Sequence, residues 1–298
     1  MTIESVYRPP RVFLSGPVSW NTLVSVDRLP STGGPTLFAT GQRRALGGTS
    51  AGKALNLSRL GVSVTLKTIP GSGPDRSRIL AALEQPGIHL IDAGDPDSVT
   101  EQHFNLMSED GGRQSIYLSI ASLPSDPSPP AAVDALSRVD VAVLDLAEHS
   151  RPLIALAREY EIPVWVDLHD YDGIAGFHRD FAGGADVIVF SDERMPDPEP
   201  FMRRYVERGV RLVVCTRGAR GTIAMDNSGL TEVPAVPVEQ VIDSNGAGDA
   251  FFSGLLFGHL TGRDLQTSLR YGAVAGALAV QSLDLASDRL SPALFTDG

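Results

Sequence analysis

The chain is expected to fold as an α/β protein: a doubly wound, mostly parallel sheet with helices on both faces, plus a small β-sheet lid. Three observations lead there. From about residue 130 onward, short apolar runs alternate with stretches of helical length, the pattern of a parallel sheet whose crossovers are helices. Residues 18–46 and 97–120 hold strand-like runs with no helical stretch between them, which reads as a separate piece of sheet. A length of 298 residues, with 42% hydrophobic and 20% charged side chains, suits one large layered domain over 1–298 with those two segments as inserts.

Each element follows from local pattern. Arg11 to Gly16 reads as the first strand, ended by Gly16-Pro17. Thr22 to Val26 and Leu37 to Ala45 are strand-like, split by the turn-rich run Leu29 to Pro35. A helix is predicted from about Thr49 to Leu60, with Ala51, Leu55, Leu57 and Leu60 apolar and Gly61 as its stop. Residues 62–95 give strand, helix and strand. Phe104 to Met107 and Gln114 to Tyr117 flank Glu109-Asp110-Gly111-Gly112, a hairpin around an acidic-Gly turn. Leu123 to Pro130 alternates Pro and Ser and reads as a connector. Buried strands are expected at Val141–Leu144, Val164–Val166, Asp186–Phe190 and Arg211–Cys215, with helices near 150–160 and 199–208. Ala250–Leu260 and Tyr271–Ser282 are predicted helices near the end.

Bulk properties exclude several roles. A formal charge of −11 opposes non-specific binding to nucleic acid or an anionic membrane, both of which need a basic surface. The single cysteine, Cys215, closes no intrachain disulfide, and its strand setting makes it a core residue. With no long apolar run and no leader pattern, a cytoplasmic location is expected. The histidines show no metal-ligand spacing with Cys or acids. His169-Asp170 follows a buried strand, at the rim where ligands collect in such folds.

The informative stretch is Asp243-Ser244-Asn245-Gly246-Ala247-Gly248-Asp249-Ala250-Phe251. Small residues at 246–248 let the backbone turn tightly and point several N–H groups at one spot, beside a helix N-terminus that favours negative charge. An ionised Asp249 there can take a proton from a hydroxyl as it attacks a phosphoryl group, while the amides stabilise the developing charge.

This string closely resembles the signature of the ribokinase (PfkB) family of carbohydrate and nucleoside kinases, with Ser244 in place of the usual Thr. The resemblance implies an ATP-dependent kinase acting on a small-molecule hydroxyl, with Mg²⁺ as cofactor. Asp249 is then the base, and Gly246, Ala247 and Gly248 line the anion hole. Asp243 is expected beside a monovalent cation such as K⁺. Gly47-Gly48 and Gly52, in a run closing with Ser58-Arg59-Leu60-Gly61, look like the family's N-terminal signature at the substrate. Thr216, Gly218 and Gly221 resemble the turn that lies against the nucleotide, and Ser282 ends a helix like the one covering the adenine. Lids of this kind have exposed edges, so pairing of two lids into a homodimer is also expected.

Three positions depart from the family pattern. Ser19 and Asn21 stand where sugar kinases carry an Asn-x-Asp-like pair; Gly52 replaces an Asn; and Ser191-Asp192-Glu193-Arg194 replaces Asn-x-x-Glu, leaving Glu193 or Asp192 for the magnesium shell. With His103 and Gln102 in the lid, these changes point away from ribose itself, and a nucleoside acceptor stands as an alternative. Two other readings are open. Gly47 to Lys53 fits Gly-x₄-Gly-Lys of a phosphate-binding loop but lacks the final hydroxyl, and a non-catalytic sugar- or nucleoside-sensing homologue would keep the same fold.

Overall fold

The computed structural model describes residues 8–31, 36–109 and 111–295; part of the turn expected at 29–35, and Asp110, lie outside them. The main sheet is built from β1 (Arg11–Ser15), β4 (Ser63–Thr68), β5 (Ile88–Asp92), β8 (Val141–Leu144), β9 (Val164–Asp167), β10 (Val187–Ser191), β11 (Leu212–Thr216), β12 (Thr222–Asp226) and β13 (Gly229–Val233). Their order is β13-β12-β11-β10-β9-β8-β1-β4-β5. Pairing is parallel from β5 through to β11, and β12 and β13 add an antiparallel edge.

Alternation along the strands divides the core between two faces. Val12, Leu14, Val64 and Leu66 point to the side covered by α1 (Thr49–Arg59), α2 (Pro74–Leu83), α7 (Ala247–Leu260) and α8 (Leu265–Ala279). Phe13, Ala142, Leu144 and Ile188 point to the side covered by α3 (Pro130–Leu136), α4 (Pro152–Glu159), α5 (Gly176–Gly184) and α6 (Glu199–Glu207). Burying each such side chain contributes about 1.5–3 kcal/mol against the entropy of ordering the chain. Cys215 belongs to the second face, where burial pushes its thiol up to about 12, so it packs and does not react at neutral pH.

The chain leaves β1 to build β4 and β5 on one side and returns to place β8 on the other. The strand order therefore reverses between β1 and β8, and the carboxyl ends of these strands are where sheets of this kind hold their ligands.

The two inserts form a second sheet of β3 (Gly41–Gly47), β2 (Ser19–Val26), β6 (Gln102–Ser108) and β7 (Arg113–Ser119), in that order. The central pair β2–β6 is parallel and joins the two pieces of chain; β2–β3 and β6–β7 are antiparallel.

Boundaries move in three places. α3 begins at Pro130 directly after the Pro-rich connector, since Pro is tolerated in the first helical turn. α5 carries Gly176, Gly183 and Gly184, which hide a helix held by the buried Phe181 and its neighbours. α8 starts earlier than expected, where the Asp264 side chain accepts from the Thr267 amide as an N-cap, and it ends at Ala279, so Ser282 lies beyond it.

Candidate active site

Asp249 stands in the first turn of α7, whose preceding residue Gly246 adopts φ +81°, a left-handed turn that suits glycine. The first amides of a helix have no intrahelical acceptor, so the segment Gly246–Asp249 offers donors and the positive end of the helix dipole to an anion. Four of the expected residues, Gly246 to Asp249, are thereby on one turn at the start of α7.

Under this turn sits a charge cluster. Lys53, from α1, is fully buried, and its Nζ lies 2.8 Å from Asp249 Oδ1, 3.1 Å from Asp145 Oδ1 and 3.1 Å from Asp167 Oδ2. Asp145 follows β8 and Asp167 ends β9. Asp145 is anchored further, its Oδ2 accepting from Ser50 Oγ at 2.7 Å and Thr49 Oγ1 at 3.3 Å. Asp167 Oδ1 accepts from the His169 amide at 2.9 Å. Burial opposes the charge on Lys53, but the three carboxylates outweigh it and hold the ammonium above its ordinary pKa. Burial pushes Asp249 up to about 6, although Lys53 pulls the other way. Asp167 is buried too, yet His169 and Lys53 hold it below the usual carboxylate range.

The second oxygen of Asp249, Oδ2, makes no hydrogen bond among the described residues, and the side chain keeps 11% exposure. Gly52 gives it room: a Cβ at that position would come within 2.7 Å of Oδ2. A side chain at position 52 would therefore collide with the Asp249 carboxylate. The phosphate-loop reading of Gly47 to Lys53 is overturned, because residues 49–52 are already helix and the Lys53 ammonium is buried among three carboxylates.

On the lid, the expected Asn21 and His103 do come together. Asn21 Oδ1 accepts from the His103 amide at 3.0 Å, and His103 Nε2 is 2.9 Å from Glu101 Oε1. The ring of His103 lies 3.9 Å from that of Tyr117, which is 60% exposed and so presents an aromatic surface. Gly47 stands against Asn21, where a Cβ would fall 2.0 Å from Nδ2, and Gly48 takes φ +91° at the start of α1. Gln102 turns elsewhere, donating to Asp75 at 2.8 Å.

Asp243, expected beside a monovalent cation, pairs with the lid residue Arg43 at 2.5 Å, and its other oxygen caps the Asn245 amide at 2.8 Å. A guanidinium therefore supplies its counter-charge. Two more contacts join lid and anion turn: Arg113 Nη1 donates to Asn245 Oδ1 at 3.1 Å, and Ser244 Oγ donates to Gly111 O at 3.2 Å.

Thr216 ends β11, with Gly218 and Gly221 in the turn that leads to β12. Ser282 Oγ accepts from the Asp284 amide at 3.1 Å, just past α8. In the tetrad at 191–194, Asp192 pairs with Arg220, and Arg194 pairs with Asp172 at 3.2 Å. Glu193 is exposed and makes no ion pair among the described residues, so it is the carboxylate of this turn open to a hydrated cation. No cluster of three or more His, Cys, Asp or Glu able to hold a metal occurs among the described residues. Nor is any described helix long and apolar enough to cross a membrane.

Sequence reasoning missed Asp145, Asp167, Glu101 and the burial of Lys53. A signal existed for the first two, since each is an acid at the carboxyl end of an apolar strand. Lys53 is one of two lysines in a chain with 25 basic residues, an oddity that marked the residue without giving its direction.

A family model described as pfkB family carbohydrate kinase matches residues 195–291. The chain is 33% identical over 278 residues to an acarbose 7(IV)-phosphotransferase from Actinoplanes, a match covering 90% of this chain and 91% of the relative. It is 27% identical over 291 residues to an ATP-dependent ribose-1-phosphate kinase from Halopiger xanaduensis, covering 90% and 91%. Among solved structures, a microbiome-derived acarbose kinase superposes with a TM-score of 0.83 at 26% identity, over 97% of this chain and 98% of that one. Arabidopsis thaliana ribokinase, complexed with ribose and ATP, superposes with a TM-score of 0.77 at 18% identity, over 98% and 100%, and so shares the fold.

Proposed function

The chain belongs to the pfkB family of carbohydrate kinases, and on that footing we propose that it transfers the γ-phosphoryl group of ATP to a hydroxyl of a sugar or sugar-like glycoside, with Asp249 as general base. The observation that carries this reading is Asp249 itself: one oxygen is held by Lys53, the other makes no hydrogen bond among the described residues, and the residue stands in the first turn of α7. In the transfer, the acceptor O–H breaks as its proton moves to Asp249 Oδ2. The acceptor oxygen forms the new P–O bond, and the bond to ADP breaks in line. Amides of Gly246, Ala247 and Gly248 stabilise the charge on the moving group. The nucleotide would lie along Thr216, Gly218, Gly221 and Ser282, with Glu193 toward the water shell of Mg²⁺, whose chemistry is charge neutralisation on the phosphates.

The acceptor would sit under the lid, against Asn21, His103, Glu101 and Tyr117. The polar groups suit sugar hydroxyls, and the exposed Tyr117 ring suits the apolar face of a pyranose. The two acarbose kinases among the relatives favour a glycoside larger than ribose. The same ring would also stack on a nucleobase, which keeps a nucleoside acceptor as the second reading. Ile116 and Leu118 on the edge strand β7, and Ile120 just past its end, are exposed, which supports pairing of two lids into a homodimer; sedimentation at micromolar concentration reads this directly, and a strictly monomeric chain would refute it.

The test is acceptor-dependent ADP release from MgATP across pseudo-oligosaccharides, malto-oligosaccharides, simple sugars and nucleosides. Turnover is expected with a glycoside and weak or absent with free ribose. Ribose as the best acceptor would refute the substrate reading. Nucleotide and sugar binding without turnover on any acceptor would replace the kinase by a sensing protein.

A further inference from the structure

We propose that Lys53 is a positioning residue for phosphoryl transfer: its ammonium ties Asp249 to Asp145 and Asp167, fixing one oxygen of the base and leaving the other turned to the acceptor. The proposal rests on the reading of Asp249 as the base. An ammonium has three N–H donors, and here three carboxylates surround it at 2.8, 3.1 and 3.1 Å. Nζ is fully buried among them, so Lys53 acts through the carboxylates and not on the nucleotide.

The partners are themselves immobile. Asp145 is held by Ser50 and Thr49 at the start of α1, and Asp167 by the His169 amide at the end of β9. The Phe252 ring closes the remaining side, with its centroid 5.1 Å from Nζ. An ammonium locked in this way restricts Asp249 to one orientation. The space left by Gly52 then accommodates Oδ2.

The cluster also sets the charge of the base. The groups facing Asp249 are Lys53 from α1, Asp145 after β8, and Asp167 with His169 from the end of β9. With Lys53 neutralised, a buried Asp249 would face two carboxylates and be balanced only by His169, which carries charge only when protonated. Both burial and like charge favour the protonated acid, and a protonated Asp249 cannot accept the hydroxyl proton. Lys53 thus keeps an unusually buried base ionised near neutral pH.

The experiment follows the carboxyl ¹³C signal of Asp249 against pH in the full chain, for the parent, Lys53→Met and Asp145→Asn. The parent midpoint is expected near 6. Lys53→Met should raise it by about two units or more, and Asp145→Asn should lower it, because one competitor for the ammonium is gone. In parallel, kcat for Lys53→Met should fall roughly tenfold or more at pH 7 and recover in part at pH 9, with KM for ATP little changed. An unmoved midpoint in both variants, or a loss of kcat equal at every pH, overturns the proposal and leaves Lys53 a structural strut. If Lys53→Met does not fold, Asp145→Asn alone decides by the same criterion. A parent enzyme without any turnover would refute the kinase reading instead, and the titration would still judge the cluster.

Discussion

Burial lifts the Asp249 carboxyl to about 6, and the lift has a measurable cost in stability. Between its ordinary value and about 6 the folded chain binds a proton that the unfolded chain does not. Stability therefore falls as pH rises through that window, and the cost is complete above it. Asp249→Asn removes the buried charge while Lys53 keeps Asp145 and Asp167. The variant should be more stable than the parent at pH 8, by on the order of 2 kcal/mol, with the gain shrinking toward pH 4. Urea unfolding at the two pH values checks this, and a variant less stable at pH 8 would mean that the Lys53–Asp249 pair is worth more than its desolvation cost. The turn that carries Asp249 was legible in the sequence because a run of small residues stands directly before an apolar helix. Lys53 was not, since its helix periodicity leaves open whether a lysine snorkels to solvent or turns inward to acids that arrive from β8 and β9.

At the scale of elements, the lid and the anion turn are joined by the pairs Arg43–Asp243, Arg113–Asn245 and Ser244–Gly111. On the proposed kinase reading these contacts hold the lid over the phosphoryl-transfer residues, where excluding water would prevent wasteful hydrolysis. Arg43→Ala should leave ATP binding intact, raise the acceptor KM several-fold and increase ADP release without acceptor. Steady-state assays with and without acceptor measure all three. Unchanged KM and unchanged background hydrolysis would reduce the pair to a surface contact of the weak kind. The lid was readable because strand-like runs lacked a helix between them. Its register was not, since only the fold brings β2 beside β6 in parallel. α5 escaped for a local reason: its glycines lower helix propensity, and tertiary packing of Phe181 overrides it.

For the whole molecule, the strand order brings residues from distant parts of the chain together. Lys53, Asp145, Asp167 and Asp249 meet only because β1 and β8 are neighbours and α1 and α7 cover the same face. Apolar blocks of strand length made the layers predictable, while the convergence of four charges depended on topology that no single segment carries. That convergence makes one claim central, namely that Asp249 is the base of a phosphotransferase. The most direct test compares the parent with Asp249→Asn in single-turnover transfer from MgATP to the best acceptor, alongside nucleotide binding. The account predicts a loss of about two orders of magnitude or more in transfer, in line with general-base contributions of about 10²–10⁴, with ATP affinity preserved. Near-parental transfer by Asp249→Asn would contradict it.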